Sequence, residues 1–227
     1  MKNTIKKLLI LFVTIISFAF TLVGCGETVN LDEYISQLRL SVYEGESQNF
    51  KVVCYAEKRE TPFNADGVVG EIKNAVIIKV SFLNGAPNDA NATLSYGSES
   101  YQTALNYNPV SEKSNATVYV ENLPSLPSIN IEITSGDICE KVTLSSVIFD
   151  NTVTYSEALK SVINSDKEKS NRLFGGGEES AEIHVRLIRT DGKNYYYVGI
   201  VEKGGKTSAY LVDGETATIL AKKDIGR

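Results

Sequence analysis

The sequence predicts a mainly β protein with an α+β C-terminal part, in which an antiparallel β-sandwich precedes a helix packed on an antiparallel meander. Apolar and polar residues alternate in short runs between residues 38 and 144, which is the period of strands with one buried face. A single stretch near residue 155 instead has helical spacing, and three turn-linked strand runs follow it. Turn-forming Gly, Asn, Asp and Pro residues separate the strand runs.

The predicted sandwich covers residues 38–150. In its first strand the apolar side chains at alternate positions are expected to face the core, and the residues between them to face away. The inward set is Leu38, Leu40 and Val42, and the outward set is Arg39, Ser41 and Tyr43. Similar runs begin near Phe50, Val76, Thr117, Ile129 and Val142. About seven such strands favour two packed antiparallel sheets.

The second predicted domain covers residues 151–227. Thr154 and Glu157 have the spacing of a capping box, in which each side chain binds the other residue's backbone N–H. The apolar residues that follow recur at helical spacing and predict one buried stripe: Tyr155, Leu159, Val162 and Ile163. Residues 166–169 are interpreted as a solvated helix end and residues 175–177 as a glycine hinge.

The last three strands are joined by hairpin turns. Asp191-Gly192, Gly204-Gly205 and Asp213-Gly214 are strong turn signals between runs of alternating residues. The central run contains three consecutive tyrosines. On a strand, Tyr195 and Tyr197 share one face and Tyr196 takes the other, so Tyr195, Tyr196 and Tyr197 are candidate partner contacts.

The N-terminus predicts export. Lys2, Lys6 and Lys7 precede an apolar run over residues 8–23, the pattern of a signal peptide, and this run is shorter than the roughly 20 residues of a membrane span. Leu22-Val23-Gly24-Cys25 resembles the lipobox of bacterial lipoproteins. The resemblance implies removal of residues 1–24 and lipid attachment to Cys25. Residues 25–37 would then tether a protein anchored by lipid on the extracytoplasmic face of the cell membrane.

Charge and composition restrict the partners. The whole chain has 23 basic and 28 acidic residues, a formal charge of −5. Without residues 1–24, which contain three Lys and no acid, 20 basic residues face 28 acidic ones, and the charge becomes −8. Such a balance argues against a nucleic-acid partner. No cofactor is predicted.

Cys54 and Cys139 are the two cysteines that follow Cys25. An exported protein is exposed to an oxidising environment, so the two residues are a candidate disulfide pair. Their separation in space decides whether a bridge can form, and the sequence leaves that open.

The C-terminal part resembles PepSY domains, small helix-plus-meander modules of exported bacterial proteins. The resemblance covers about residues 152–225 and rests on Ser156-Glu157-Ala158, on residues 196–200 and on residues 209–216. Some PepSY modules occur in protease propeptides. The resemblance therefore implies a binding or protease-restraining module whose partner is an envelope protein or a protease.

Catalysis is not predicted. His184 is the single histidine, and we interpret it as a solvated strand residue because no nucleophile motif accompanies it. The alternative is an envelope hydrolase acting on peptides or glycans, with His184 or clustered carboxylates in a concave pocket. No metal site is predicted, since one histidine and no Cys-x-x-Cys motif are present. Calcium bound by the turn residues Asp66, Asp89 and Asp137 is a further alternative.

Lipidation is directly testable. We expect Cys25→Ala to accumulate as an unprocessed precursor that takes up no radiolabelled fatty acid, because the thiol is the acceptor of the lipid. Labelling and gel mobility of the parent and the variant measure both effects. Equal labelling of the two proteins would contradict a lipid anchor at Cys25.

Overall fold

The computed structural model describes residues 30–87, 89–136, 138–176 and 180–226, with the side chain of Ile138 left out. Residues 31–227 form one compact unit. Cys25 and the rest of the predicted signal lie outside the described residues, as do Asp137 and Gly177. Among the described helices, none has the length and apolar character that crossing a membrane would require.

The described residues are mainly in strands, with two α-helices in the C-terminal part. A short 3-10 helix (Leu31–Tyr34) precedes them. The strands before the helices are β1 (Ile35–Glu46), β2 (Phe50–Glu60), β3 (Ile72–Phe82), β4 (Asn91–Tyr96), β5 (Glu99–Ala104), β6 (Asn106–Asn108), β7 (Lys113–Tyr119), β8 (Ser128–Ser135) and β9 (Ile138–Ser146). The helices are α1 (Tyr155–Ser165) and α2 (Lys167–Phe174), followed by β10 (Ala181–Thr190), β11 (Lys193–Glu202), β12 (Thr207–Asp213) and β13 (Ile219–Ile225). The prediction of a mainly β fold is confirmed.

Hydrogen bonds join all these strands into one nearly closed sheet. One path runs in the order β13-β12-β11-β10-β1-β2-β3-β7-β6, and a branch of β9, β8, β4 and β5 joins it at β1. Strand β1 pairs with β2 along most of its length, with β10 over its first half and with β9 near its end. The β1–β10 pair is parallel and the other pairs are antiparallel.

A bulge in β1 changes which of its side chains face inward. The register against β2 shifts between Arg39 and Ser41, so Leu40 is an extra residue and the alternation is inverted after it. The prediction that Tyr43 faces away from the core is therefore wrong. Tyr43 is 1% exposed, and its hydroxyl donates to the carbonyl oxygens of Pro124 (3.0 Å) and Leu126 (3.1 Å).

Two hydrophobic cores lie within the unit. The first packs side chains of β2 and β3, such as Phe50 and Ile78, with Leu94 of β4 and Ile131 of β8. The second packs the helices on β10, β11 and β12, and its buried members include Leu159, Val162, Ile183, Val198 and Val212. Ile35, Leu38 and Val42 of β1 also belong to the second core. Residues 31–37, for which the sequence favours a tether, form the 3-10 helix and the start of β1.

The N-terminus of α1 has the predicted capping box. The Glu157 N–H donates to the Thr154 hydroxyl (3.3 Å), and the Thr154 N–H donates to the Glu157 carboxylate (2.7 Å). The bond from the Thr154 N–H and a second from the Thr154 hydroxyl to the same carboxylate (2.8 Å) hold the pKa of Glu157 below its ordinary value. Ala158, Leu159 and Val162 are buried on the stripe facing the sheet.

A second helix replaces the predicted solvated end. Asp166 caps α2 by accepting from the Lys169 N–H at 3.1 Å. The Lys169 ammonium lies 2.7 Å from a Glu202 carboxylate oxygen and 2.7 Å from the Ser208 hydroxyl, on the neighbouring sheet. Lys169 is thus part of the packing between α2 and the sheet. The sequence around Lys169 gives no sign of these contacts, because Glu202 and Ser208 are remote from it along the chain.

The two cysteines are free: Cys54 is buried and Cys139 is exposed. Cys54 pairs with Tyr43 of β1, whose other edge pairs with Ser146 of β9. Cys139 is seven residues from Ser146 along β9, about 23 Å in an extended strand. A disulfide needs Cα atoms within roughly 7 Å. The candidate disulfide is therefore not formed, because the two residues lie far apart along the sheet.

The helix packing predicts two different stability losses. We expect Leu159→Ala to lower the free energy of unfolding by about 2–5 kcal/mol, because it leaves a cavity in the second core. Thr154→Ala should cost about 0.5–2 kcal/mol through loss of the cap. Urea unfolding of the variants measures both, with Lys160→Ala on the exposed side of α1 as the control. A Leu159→Ala value no larger than that of Lys160→Ala would contradict this packing.

Candidate functional site

A set of charged and aromatic side chains covers the sheet face opposite the helices. On β10, Ile183, Val185 and Leu187 face the helices, so the intervening residues face the other way. Register pairs across the sheet then place Tyr197, Arg186, Arg39 and Glu57 in one row, and Gly199, His184, Gln37 and Arg59 in the next. We call Arg39, Arg59 and Arg186, with Tyr55 and Tyr197, the arginine face.

Glu57 lies at the centre of this set and is fully buried. Its carboxylate accepts hydrogen bonds from the Gln37 amide at 3.1 and 3.2 Å and from Arg39 Nε at 3.2 Å. Arg59 Nη1 lies 3.4 Å from the other carboxylate oxygen. A buried carboxylate is tolerated only when it is paired and hydrogen-bonded, and these contacts satisfy that condition.

Gln37 connects the third arginine to the same group. Its side-chain oxygen accepts from Arg186 Nε at 2.6 Å, while its nitrogen donates to Glu57. An amide suits this position because it has both a donor and an acceptor. The network therefore joins β10, β1 and β2 through side chains as well as through the backbone.

Tyrosine rings support two of the guanidinium groups. The Arg39 guanidinium carbon is 3.9 Å from the centre of the Tyr55 ring, and that of Arg186 is 5.1 Å from the centre of the Tyr197 ring. Both distances are in the range of cation–π contacts. The Arg39 and Arg59 side chains keep 15% and 23% of their surface exposed, so solvent and ligands can reach them.

The arginine face is positively charged within an acidic protein. The guanidinium groups of Arg39 and Arg59 contact the single carboxylate of Glu57, and that of Arg186 is linked to it through Gln37. The whole chain has a formal charge of −5. Burial lowers the pKa of Arg186, and the charges of Arg39 and Arg59 act in the same direction. Burial, Arg39 and Lys113 likewise lower the pKa of the neighbouring Lys79. These charges would favour the binding of an anion at the arginine face.

The three consecutive tyrosines are divided between the two faces of β11. Tyr196 faces the second core, is 4% exposed and donates to the Val153 carbonyl at 2.8 Å. Burial raises the pKa of Tyr196 to about 12. Its burial removes Tyr196 from the candidate partner contacts, whereas Tyr195 and Tyr197 are half-buried on the face that carries the arginines.

Gly199 determines where the Tyr197 ring lies. A Cβ atom at Gly199 would come within 2.8 Å of the Tyr197 hydroxyl oxygen and 2.9 Å of its ring. Such contacts are too close for a side chain. The Tyr197 ring therefore lies along its own strand over Gly199, beside Arg186.

His184 is buried, so the prediction of a solvated strand residue is wrong. It is 4% exposed, because the β2–β3 loop (residues 61–71) crosses the sheet over it. The Phe63 ring of this loop is 5.3 Å from the imidazole ring, and the Gly67 N–H donates to Glu182 at 3.3 Å. A loop distant in sequence covers the histidine, and local alternation gives no signal of that.

His184 and its buried neighbour Glu182 do not have the geometry of a catalytic nucleophile–base pair. Nε2 of His184 is 3.7 Å from a Glu182 oxygen and has no hydrogen-bond partner in the described part of the chain. Burial alone would raise the pKa of Glu182, but His184, Ser36 and Gly67 outweigh it and lower this pKa. The acidic neighbour of His184 is Glu182, whereas in a catalytic triad the histidine also contacts the nucleophilic serine.

The acidic turn residues have protein partners. The Asp66 carboxylate accepts from the Val68 N–H at 3.0 Å, and Asp89 accepts from the Ser135 hydroxyl at 3.0 Å. Within the described ranges, no group of three or more His, Cys, Asp or Glu side chains is placed to hold a metal ion. Asp137 is outside those ranges.

Sequence reasoning found Tyr195 and Tyr197 but missed Gln37, Arg39, Glu57, Arg59 and Arg186. The sequence does contain features that point to these charged residues. Arg186 interrupts an apolar strand, and Glu57 and Arg59 occupy alternate positions near the end of another. Charged residues on one face of a sheet need partners, but the partners come from strands whose order the sequence does not reveal.

The central role of Glu57 can be tested by stability. We expect Glu57→Gln to lower the free energy of unfolding by about 1–3 kcal/mol, because it removes the buried carboxylate that pairs with Arg39 and Arg59 and accepts from Gln37. Glu71→Gln is the matched control, since Glu71 forms an exposed pair with Lys73, and such pairs contribute about 0–1 kcal/mol. Urea unfolding at pH 7 measures both. Equal effects would contradict a buried network centred on Glu57.

Comparisons with protein-family models, curated proteins and solved structures gave no match for this chain. The resemblance of residues 152–225 to PepSY domains therefore stays a prediction.

Proposed function

We propose that this chain is a non-catalytic, lipid-anchored protein of the cell envelope that binds a partner protein through the arginine face and the adjacent Tyr195. One observation carries the proposal: three arginines and two tyrosines are held in fixed positions on one sheet face by a buried network. Arg and Tyr are enriched among the residues that dominate binding energy, and rigid side chains lose little entropy on binding.

The anchor and location rest on the N-terminal pattern. A basic segment, an apolar run and Leu22-Val23-Gly24-Cys25 support lipid attachment at Cys25 on the extracytoplasmic side. Stable anchoring requires more than one acyl chain, which lipoprotein modification supplies. A tethered protein meets envelope partners at a high local concentration.

We also propose that residues 38–150 form a β-sandwich and that residues 151–227 form a PepSY-like domain. Side chains from β2, β3 and β7 meet those of β4 and β8 in the first core, which supports a sandwich-like arrangement. Helices α1 and α2 pack on β10, β11 and β12, which supports the PepSY-like interpretation of residues 151–227. By that resemblance, a protease is one candidate partner, which the protein would restrain.

The alternative, an envelope hydrolase, has less support. It would need His184 beside a nucleophile and open to substrate, but His184 lies under the β2–β3 loop with Glu182. The buried position of His184 therefore favours binding over catalysis as the function of this chain.

Capture from envelope extract tests the proposal. The full-length protein in detergent serves as bait, and the double variant Tyr195→Ala with Tyr197→Ala should lose captured proteins that the parent retains. Aromatic anchors contribute at least about 2 kcal/mol each when they are hot spots, so a loss of tenfold or more is expected. Mass spectrometry of the bound fraction measures it.

The control is Tyr107→Ala, which removes a half-exposed tyrosine from β6. Circular dichroism and melting temperature establish that each bait is folded. An identical captured set for the parent and the double variant would contradict the proposal, as would hydrolysis of envelope peptides that is lost in His184→Ala.

A further inference from the structure

We infer that the arginine face recognises a carboxylate of an acidic peptide segment, which binds between the guanidinium groups of Arg39 and Arg186 beside Glu57. This inference rests on the proposed function and names the chemistry of the group that is bound. It follows from the hydrogen-bond donors, the charge and the open edges of these two arginines.

The two guanidinium groups retain unused donors. Each arginine has five N–H donors. Arg39 uses Nε toward Glu57, and Arg186 uses Nε toward Gln37. Among the contacts of the described residues, no hydrogen bond of their terminal amino groups is found. Those groups are therefore available to an external acceptor.

The two arginines are also direct neighbours. Arg39 and Arg186 are register partners on the parallel strands β1 and β10, which lie about 4.8 Å apart. Like charges opposite one another are destabilising, and Glu57 lies on the β2 side of Arg39. Glu57 therefore compensates Arg39 on one side only. An anion that contacts both guanidinium groups would relieve the remaining repulsion between Arg39 and Arg186.

The tyrosine rings restrict the direction of approach. Tyr55 lies 3.9 Å from the Arg39 guanidinium carbon and covers one flat side of that group. A ligand then approaches along the guanidinium edge, where two parallel N–H groups match the two oxygens of a carboxylate. The face already holds one carboxylate, that of Glu57, through one contact each from Arg39 and Arg59. The charge of Glu57 also disfavours a dianion such as phosphate.

Isothermal titration calorimetry tests the inference on the full-length protein in detergent. The probes are a hexaglutamate peptide and inorganic phosphate, at matched low ionic strength. We expect saturable binding of hexaglutamate and weaker binding of phosphate. Arg186→Lys keeps the charge but loses the fork and should weaken hexaglutamate binding about tenfold, the size of one charged hydrogen bond.

The matched control is Arg189→Lys, on the same strand, where Arg189 contacts Glu44 and Phe149 instead of the Glu57 network. It should bind hexaglutamate as the parent does. Arg39→Lys is the second fork variant and replaces Arg186→Lys if melting shows that the latter is unfolded. Equal weakening by Arg189→Lys, or phosphate binding as tight as that of hexaglutamate, would overturn the inference.

The two proposals fail in different ways. If hexaglutamate does not bind but the tyrosine double variant loses its captured partner, the carboxylate inference is wrong and partner binding stands. If capture is unchanged by the tyrosine variant, the proposed function fails, and the inference that rests on it fails as well.

Discussion

Strand β1 is the element on which the rest of the molecule depends, because it hydrogen-bonds to β2 on one edge and to β10 and β9 in succession on the other. Its residues Ile35, Leu38 and Val42 belong to the second core, and Tyr43 belongs to the first. The bulge at Leu40 allows one strand to contribute to both cores, because it shifts by one residue the alternation that decides which side chains point inward.

The same strand organises the charges. Gln37 and Arg39 stand between Arg186 of β10 and Glu57 of β2, so the polar network forms only where the two halves of the chain are paired. A buried carboxylate that holds several guanidinium groups contributes little net stability but makes the loss of any member costly. Binding residues attached to such a network are held in place before a partner arrives, which is the condition for efficient recognition.

Local sequence patterns predict those structural features that depend only on residues close together in the chain. The Thr154–Glu157 capping box involves four consecutive residues and was correct, and the alternation of Tyr195, Tyr196 and Tyr197 follows from strand geometry alone. Errors arose where a distant segment intervened. The β2–β3 loop buries His184, and Lys169 reaches the sheet to contact Glu202.

The sequence by itself determined the β-rich class, the capped helix, the hairpin turns and the acidic charge, because periodicity, capping and turn propensity are local properties. Only the tertiary structure decided that β1 lies parallel to β10, that Cys54 and Cys139 are far apart, and that Arg39 and Arg59 meet at Glu57, with Arg186 linked through Gln37. Strand order is a choice among pairings of similar local energy. It is made by the burial of side chains that are remote in sequence, which no local pattern records.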